Sequence, residues 1–393
     1  MATQHGYGNI TGTDSLVFAY DTIDTTNSYK GEPTTNYVPG TYQYGLYAYA
    51  SGPTDTTVFN EKNESVSVKR YTITQAVNTA RAAIFPSTTT GIFYTFSFKW
   101  KYNGITTTNP SIAVSAAKGY PETNNNGFSS QASNTISIGN GWNLTTYTFA
   151  FSSNPNGACI LTFGISTGNT ASYVGETFDI YEAQFEIKNH KTQYSIGTRS
   201  TTQSLLDLTG TTGVDLANVS FDSNAQMILD GTDDYVNLGD VPAWDFGQNG
   251  TLEMMVRPIN STGNNRLWCI DNNSNNLDAY LDGSGYNVYM HGGRLGTTTP
   301  LIQNQWNHLA VTYTAGTIQI YINGIAGSMS GNTTGYNITN PSGNNSNLYI
   351  GCYRDLRYNL NGTVNVFKVY NRGLSQVEVL QNFKKYQTRF GLA

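Results

Sequence analysis

The chain has 393 residues, too many for one ordinary core and enough for two domains of about 200 residues each. Only 12% of the residues are charged, while 28 Tyr, 17 Phe and 40 Gly, with abundant Thr and Asn, describe many strands joined by tight turns, so all-β is the expected class. A net charge of −5 without any basic run excludes the electrostatic footprint of a nucleic-acid or anionic-lipid binder.

The opening residues, MATQHGYGNITG, hold neither a basic n-region nor a long apolar core, and no later segment approaches the roughly 20 apolar residues of a membrane helix. The expectation is a chain that is neither exported by a signal peptide nor inserted in a membrane. LVFAYD, residues 16–21, reads as a short buried strand, and the Thr-, Asn- and Pro-rich residues 22–39 as an ordered loop. In YVPGTYQYGLYAYASG, Tyr42 and Tyr44 share one strand face and Tyr47 and Tyr49 another, with Leu46 at a break in the alternation. These rings either stack on sugars or fill a half-buried sheet. Further strands are expected at SVSVKRYTI, at FYTFSFKWKY with Phe96, Phe98 and Trp100 on one face, at SIAVSAA, and at residues 147–151, 159–165 and 178–187. Residues 1–200 therefore form a first sandwich, and the boundary falls near Ser200, where polar Thr and Ser lead into LLDLTG.

Two stretches of this half carry a likeness. ETFDIYEAQFEIKNHKTQYSIGTRST resembles the close of the carbohydrate-binding-module-like jelly rolls of tailed-phage structural proteins, and SLVFAYDTIDTTNSYKGEPTTN resembles the start of such proteins. The resemblance implies a virion surface protein, assembled in the host cytoplasm and present in many copies or as a homo-oligomer. Its partners would be other capsid or tail proteins, and it would sit at the tail tip or on the capsid.

Residues 201–393 centre on WNHLAVTYTAGTIQIYING, two apolar runs at 309–313 and 318–322 flanking Thr314, Ala315, Gly316 and Thr317. That is the pattern of a β-hairpin at the middle of a sheet, with Leu309, Val311 and Tyr313 on one face, Ala310 and Thr312 on the other, and Asn323-Gly324 turning the chain. Trp306 is expected to be buried at its start. Ser375 followed by Glu378 forms a capping box, opening a short C-terminal helix that docks through Val377, Leu380 and Phe383. This hairpin, with ILDGTDDYVNLGD and TLEMMVRP before it and LYIGC and LNGTVNVFKVYNRGLSQVEVLQNF after it, resembles the laminin-G-like, concanavalin A-type lectin sandwich. QNFKKYQTRFG resembles the end of phage-borne domains of this kind. The resemblance implies a second antiparallel sandwich, host-surface glycans as ligands, and a structural role for His308. The fold class is all-β, two jelly-roll-like sandwiches with one short helix.

The loop-rich rim at residues 271–299 carries Asn272, Asn273, Tyr280, Tyr286, Tyr289, His291 and Arg294, aromatic faces with amide and guanidinium donors suited to a neutral sugar. The competing reading sends Tyr280 and Tyr289 into the core. Asp230, Asp233 and Asp234 either bind Ca²⁺, with Asp240 joining them, or cap local turns. No cofactor is required. A glycosidase needs two carboxylates facing across a cleft; Glu182 and Glu186 share a strand face that reads as solvated, Glu253 is isolated in an apolar strand, and His308 has no nucleophile motif beside it. The chain is accordingly expected not to be an enzyme. Cys159, Cys269 and Cys352 are read as buried free thiols, the alternative being a Cys269–Cys352 bridge.

Overall fold

The computed structural model describes residues 15–38, 50–74, 79–84, 88–105, 111–118, 128–152, 159–166, 173–240, 247–260, 264–270, 277–281, 287–290, 295–336 and 347–392. Among them the regular elements are antiparallel strands, apart from one helical turn at Thr201–Ser204 and the helix Gln376–Phe390. Tyr42, Tyr44, Leu46, Tyr47 and Tyr49 lie outside the described residues.

Two compact units result, Thr34–Arg199 and a discontinuous one made of Met1–Pro33 with Ser200–Ala393. The division at 1–200 and 201–393 is corrected accordingly, because the strand Leu16–Asp21 pairs antiparallel with Asn361–Tyr370, Phe18 opposite Val369 and Tyr20 opposite Phe367. Phe18 and Tyr20 are fully buried in the core of the discontinuous unit. The other edge of the strand is closed by residues 207–208: the Ala19 amide donates to Asp207 Oδ1 at 3.1 Å and the Leu208 amide to the Ala19 carbonyl at 2.7 Å. LVFAYD announces a buried strand by its composition, but nothing local to it names the distant partner.

In the unit Thr34–Arg199, six strands run in the order Ala50–Phe59, Ser65–Ile73, Thr177–Glu186, Phe93–Tyr102, Trp142–Phe151 and Phe128–Gly139. A separate three-stranded sheet is formed by Thr79–Ile84, Cys159–Ser166 and Ser111–Lys118. Phe96, Phe98 and Trp100 do share one face, and they join Tyr94, Phe149 and Phe185 in an aromatic core. The ends of the unit meet: Thr34–Thr35 pairs with Thr198–Arg199.

The discontinuous unit is a sandwich of two eight-stranded sheets over one core. In the first, Asn361–Tyr370 and Gly250–Asn260 are central, Asn307–Thr314 and Thr317–Ile322 follow, and Ile325–Ala326 is the edge. The hairpin thus lies between the centre and an edge. Its turn is tighter than expected, the two residues Ala315 and Gly316, both at positive φ (48° and 74°), as in the primed turns that match strand twist. Asn323 and Gly324 (52° and 74°) repeat the device one strand later. Leu309, Val311, Tyr313, Ile318, Ile320 and Ile322 enter the core, while Ala310 faces the helix.

The C-terminal helix covers this sheet from outside, and it is called the helix-bearing sheet below. The Ser375 hydroxyl accepts the Glu378 amide at 3.4 Å and Glu378 Oε2 accepts the Ser375 amide at 2.8 Å, the capping box as read. The docking face is rotated from the expected one: Val379, Asn382, Phe383, Tyr386 and Phe390 are buried, whereas Val377 is 63% exposed. Trp306 also departs from expectation. It precedes the strand Asn307–Thr314, is half-buried, and leans on Phe390 at 4.8 Å between ring centroids.

The second sheet runs Asp215–Ala217, Tyr235–Asp240, Asn347–Ile350, Asn265–Ile270, Leu277–Leu281, Asn287–Met290, Leu295–Pro300 and Met329–Gly331. The helix Gln376–Phe390 packs on the other sheet, and of the helical elements only the turn Thr201–Ser204 meets this one, at its edge strand Asp215–Ala217; it is called the helix-free sheet.

Candidate functional site

Alternation decides the fate of the two described rim tyrosines. Ala279, Leu281, Val288 and Met290 point into the core, so Tyr280 and Tyr289 stand on the outer face of the helix-free sheet, half-buried. They are direct cross-strand partners and stack with centroids 5.7 Å apart and planes at 23°. Arg266 is opposite Tyr280 on one side, and Gly296 is opposite Tyr289 on the other, so Arg266, Tyr280, Tyr289 and Gly296 form one row across four strands. At about 4.8 Å per strand the row spans about 14 Å. A Cβ added at Gly296 would lie 2.8 Å from Tyr289 Cδ1, so the ring occupies the space this glycine leaves free.

Arg266 was not singled out from the sequence. A bulge at Leu267 puts both Leu267 and Trp268 in the core and turns Arg266 outward. There its guanidinium carbon lies 4.4 Å from the Tyr280 centroid, 4.7 Å from Tyr353 and 5.3 Å from Tyr358. Nη2 contacts Asp278 Oδ2 at 3.1 Å and Nη1 donates to the Asn264 carbonyl at 3.0 Å. The local hint was an Arg directly before the apolar run LWCI. Asn272, Asn273, Tyr286, His291 and Arg294 lie outside the described residues.

Asp230, Asp233 and Asp234 come together, with a ligand oxygen of each within 4.8 Å of the others. Asp240 does not join them, which corrects that expectation: it ends the strand Tyr235–Asp240 opposite Asn347, about 20 Å along the strand from Asp234. Each of the three accepts a hydrogen bond. Asp230 Oδ1 accepts the Thr232 amide at 2.7 Å, Asp233 Oδ2 accepts Asn218 Nδ2 at 2.8 Å, and Asp234 Oδ2 accepts the Asp230 amide at 2.7 Å. Turn capping accounts for Asp230 and Asp234, and Asp233 is held by the side chain of Asn218 from a separate turn. Burial first, then the charges of Asp230 and Asp233, push the Asp234 carboxyl up to about 6. Three hard oxygens also suit Ca²⁺, and the two readings separate on a variant described in the Discussion.

The remaining acids sit differently from their sequence reading. Glu186 is buried rather than solvated, its oxygens accepting the Thr34 and Thr192 hydroxyls at 2.8 and 2.7 Å and Gln184 Nε2 at 2.9 Å. A bulge between Tyr181 and Gln184, with Glu182 at φ 50°, breaks the common face on which both acids were placed; Glu182 pairs with Lys99 at 2.8 Å. Glu253 is not isolated. It is opposite Lys368 on the neighbouring strand, whose Nζ donates to Oε1 at 3.2 Å, while Asn382 of the helix donates to Oε2 at 2.7 Å and His308 Nε2 lies 3.5 Å away. Burial alone would raise its pKa, but Lys368, His308 and Asn382 outweigh burial and hold the carboxyl at about 2. Glu253, Lys368 and His308 lie beneath the helix, where His308 is flanked by Phe383 and Tyr386. Cys269 and Cys352 are buried free thiols, and burial pushes Cys352 up to about 12.

Residues 230–380 match the family described as the Concanavalin A-like lectin/glucanases superfamily, Laminin_G_3. The match covers less than half of the chain. No curated protein matches the chain. Among solved structures, domain 4 of AbnA, a GH43 extracellular arabinanase from Geobacillus stearothermophilus, shares 16% identity over 46% of this chain and 92% of that one, with a TM-score of 0.36. Trypanosoma rangeli sialidase shares 20% over 48% of this chain and 32% of that one, at a TM-score of 0.37, so the chain spans about a third of its length. The binding domain of botulinum neurotoxin serotype G shares 14% over 46% of this chain and 48% of that one, at 0.35. At such similarity these likenesses decide neither ligand nor activity.

Proposed function

We propose that the chain is a non-enzymatic surface protein of a tailed-phage virion, carried on the tail tip or the capsid in many copies, and that the outer face of its helix-free sheet contacts host or environmental glycans. The observation that carries the glycan part is the row Arg266, Tyr280, Tyr289 and Gly296, whose rings stand outside the core with polar groups beside them. Aromatic faces pack on the C–H faces of pyranoses, and a guanidinium donates to hydroxyls. The virion part rests on the likeness of SLVFAYDTIDTTNSYKGEPTTN, ETFDIYEAQFEIKNHKTQYSIGTRST and QNFKKYQTRFG to phage structural proteins.

A shallow face of this kind gains few contacts against the entropy of immobilisation, so single sites are weak and adhesion comes from many copies on one particle. The test is retention of host cells, or of their polysaccharide, by protein displayed multivalently on beads, with reducing ends measured in parallel. Retention without reducing-end release is expected, and Tyr280→Ala should weaken it. Steady release of reducing ends would make the protein an enzyme. No retention on any host surface, with copies imaged only between capsomers, would make it a structural decoration.

A further inference from the structure

The glycan-contact reading leaves the ligand's chemistry open, and residues 353–358, which reach the same row through Arg266, narrow it. The segment is a tight turn in which the Leu356 amide donates to the Tyr353 carbonyl and the Tyr353 amide to the Arg357 carbonyl, each at 2.8 Å. Its far end is fixed to the sheet by the Arg266 amide, which donates to the Tyr358 carbonyl at 2.8 Å. Leu356 and Tyr358 hold φ of 62° and 60°, a left-handed conformation that bulky side chains rarely adopt, yet they are 45% and 46% exposed. Strain of this kind persists where the surroundings over-determine it, and it clusters at ligand clamps. Here it holds a Leu and a Tyr out into water beside Arg266.

Arginine is concentrated at the same place. Arg354 lies over Tyr353 at 5.3 Å and Arg357 over Tyr358 at 5.7 Å, with Arg266 between the two rings and Tyr280. Arg266 pairs with Asp278 and Arg357 with Asp355, on a chain whose net charge is −5. Arg357 donates both Nε (3.0 Å) and Nη2 (2.5 Å) to the single oxygen Asp355 Oδ2, so its Nη1 keeps no partner among the described residues. Planar guanidinium donors backed by aromatic rings suit a carboxylate on a pyranose better than a neutral hydroxyl.

We infer that residues 353–358 select the ligand, and that they select a glycan bearing carboxylate groups, a uronic-acid or similarly acidic polysaccharide. This rests on the glycan-contact reading. The experiment uses full-length protein displayed on beads against polygalacturonic acid and against the same polymer with its carboxyl groups reduced to alcohols. The acidic polymer should be retained at least tenfold better, with the difference shrinking as salt rises. Arg357→Ala should lower retention of the acidic polymer by about tenfold and leave the reduced one unchanged. Leu356→Gly releases the left-handed strain, so its melting temperature should hold or rise while retention falls, which a merely structural turn would not do. Equal retention of both polymers would overturn the acidic selection and leave glycan contact standing. Retention of neither would overturn both.

Discussion

On the helix-bearing sheet Glu253, Lys368 and His308 point away from the sandwich core, just as Arg266, Asp278 and Tyr280 do on the helix-free sheet. The first set lies beneath the helix Gln376–Phe390 and is fully buried or nearly so. There an ion pair without a partner would be costly, and both charges are matched: Glu253 to Lys368 and Asn382, and Lys368 Nζ 4.7 Å above the Tyr386 ring, while the ring nitrogens of His308 make no hydrogen bond among the described residues. The second set has no helix over it among the described residues. Arg266 and Asp278 are buried there too, the arginine beneath aromatic rings, whereas Tyr280 and Tyr289 keep part of their surface exposed. The same sheet geometry thus yields a sealed lock on one side and a partly exposed aromatic face on the other, and what differs is whether the helix covers the strands.

The sealed side should be the easier to break. A chain beginning at Ser200 loses the strand Leu16–Asp21, which leaves Val366 to Tyr370 unpaired along one edge and removes two buried aromatics worth about 3–5 kcal/mol each. That approaches the whole stability of an ordinary domain. The fragment should bind hydrophobic dyes and melt without cooperativity, and a synthetic peptide of residues 15–33 should restore a sharp transition. A cooperative melt of the fragment alone would show that the N-terminal strand is dispensable. Next in size, Glu253→Ala strands the Lys368 ammonium in the interior and should cost about 3–5 kcal/mol in denaturant unfolding. Joining it with Lys368→Met should recover most of the loss. A single variant as mild as a surface change would mean that water reaches beneath the helix.

Features written in adjacent residues were legible, and features that depend on distant ones were not. The hairpin follows from period-two alternation about Ala315-Gly316, and the helix start from Ser375 and Glu378. The helix face slipped because Arg372, which no local rule involves, takes Glu378 at 2.7 Å, and because Asn382, not another apolar residue, meets the sheet through Glu253. Glu186 read as solvated because Thr34, which buries it, comes from the opposite end of its unit. The strand Phe128–Gly139 escaped notice because it is exposed almost throughout and its Ser, Thr and Asn show no alternation. At the candidate site, the outward direction of Tyr280 and Tyr289 is implicit in Ala279, Leu281, Val288 and Met290. The arginine between three tyrosines is not, since those rings come from separate segments.

Protonation sharpens the contrast further. Glu253 is held below its ordinary 4.5, at about 2, so the stability it contributes is present above pH 4.5 and lost as pH falls toward 2. Asp234 is raised from 3.8 to about 6, so its contribution has the opposite sign: it is fully present below pH 3.8 and lost as pH rises through 6. Asp234→Asn keeps an oxygen for the Asp230 amide and removes the charge. It should therefore stabilise the protein by about 1–3 kcal/mol at pH 7 and change little at pH 3.5. Melting curves with and without Ca²⁺ complete the test. A wild-type protein that gains stability from Ca²⁺ while the variant gains none would turn the capping trio into a cation site.

The smallest expected change in stability is on the partly exposed aromatic face, and it bears most directly on function. Tyr289 stacks on Tyr280 on one side and lies over Gly296 on the other, outside the core and half-buried. Truncating it leaves no cavity in the interior, only the loss of one aromatic contact worth about 0.5–1.5 kcal/mol. Tyr289→Ala should accordingly unfold within about 1 kcal/mol of the wild type while retention of glycan by displayed protein falls sharply. Gly296→Ala tests the same row without removing a ring: its methyl group would meet Tyr289 Cδ1 at 2.8 Å and the Val288 carbonyl at 3.0 Å, forcing the ring off its seat. Retention should fall with Gly296→Ala as it does with Tyr289→Ala, although every aromatic is still present. If Tyr289→Ala instead costs as much as a core aromatic, or if both variants retain glycan like the wild type, the row is part of the scaffold and the helix-free sheet is as sealed as its partner.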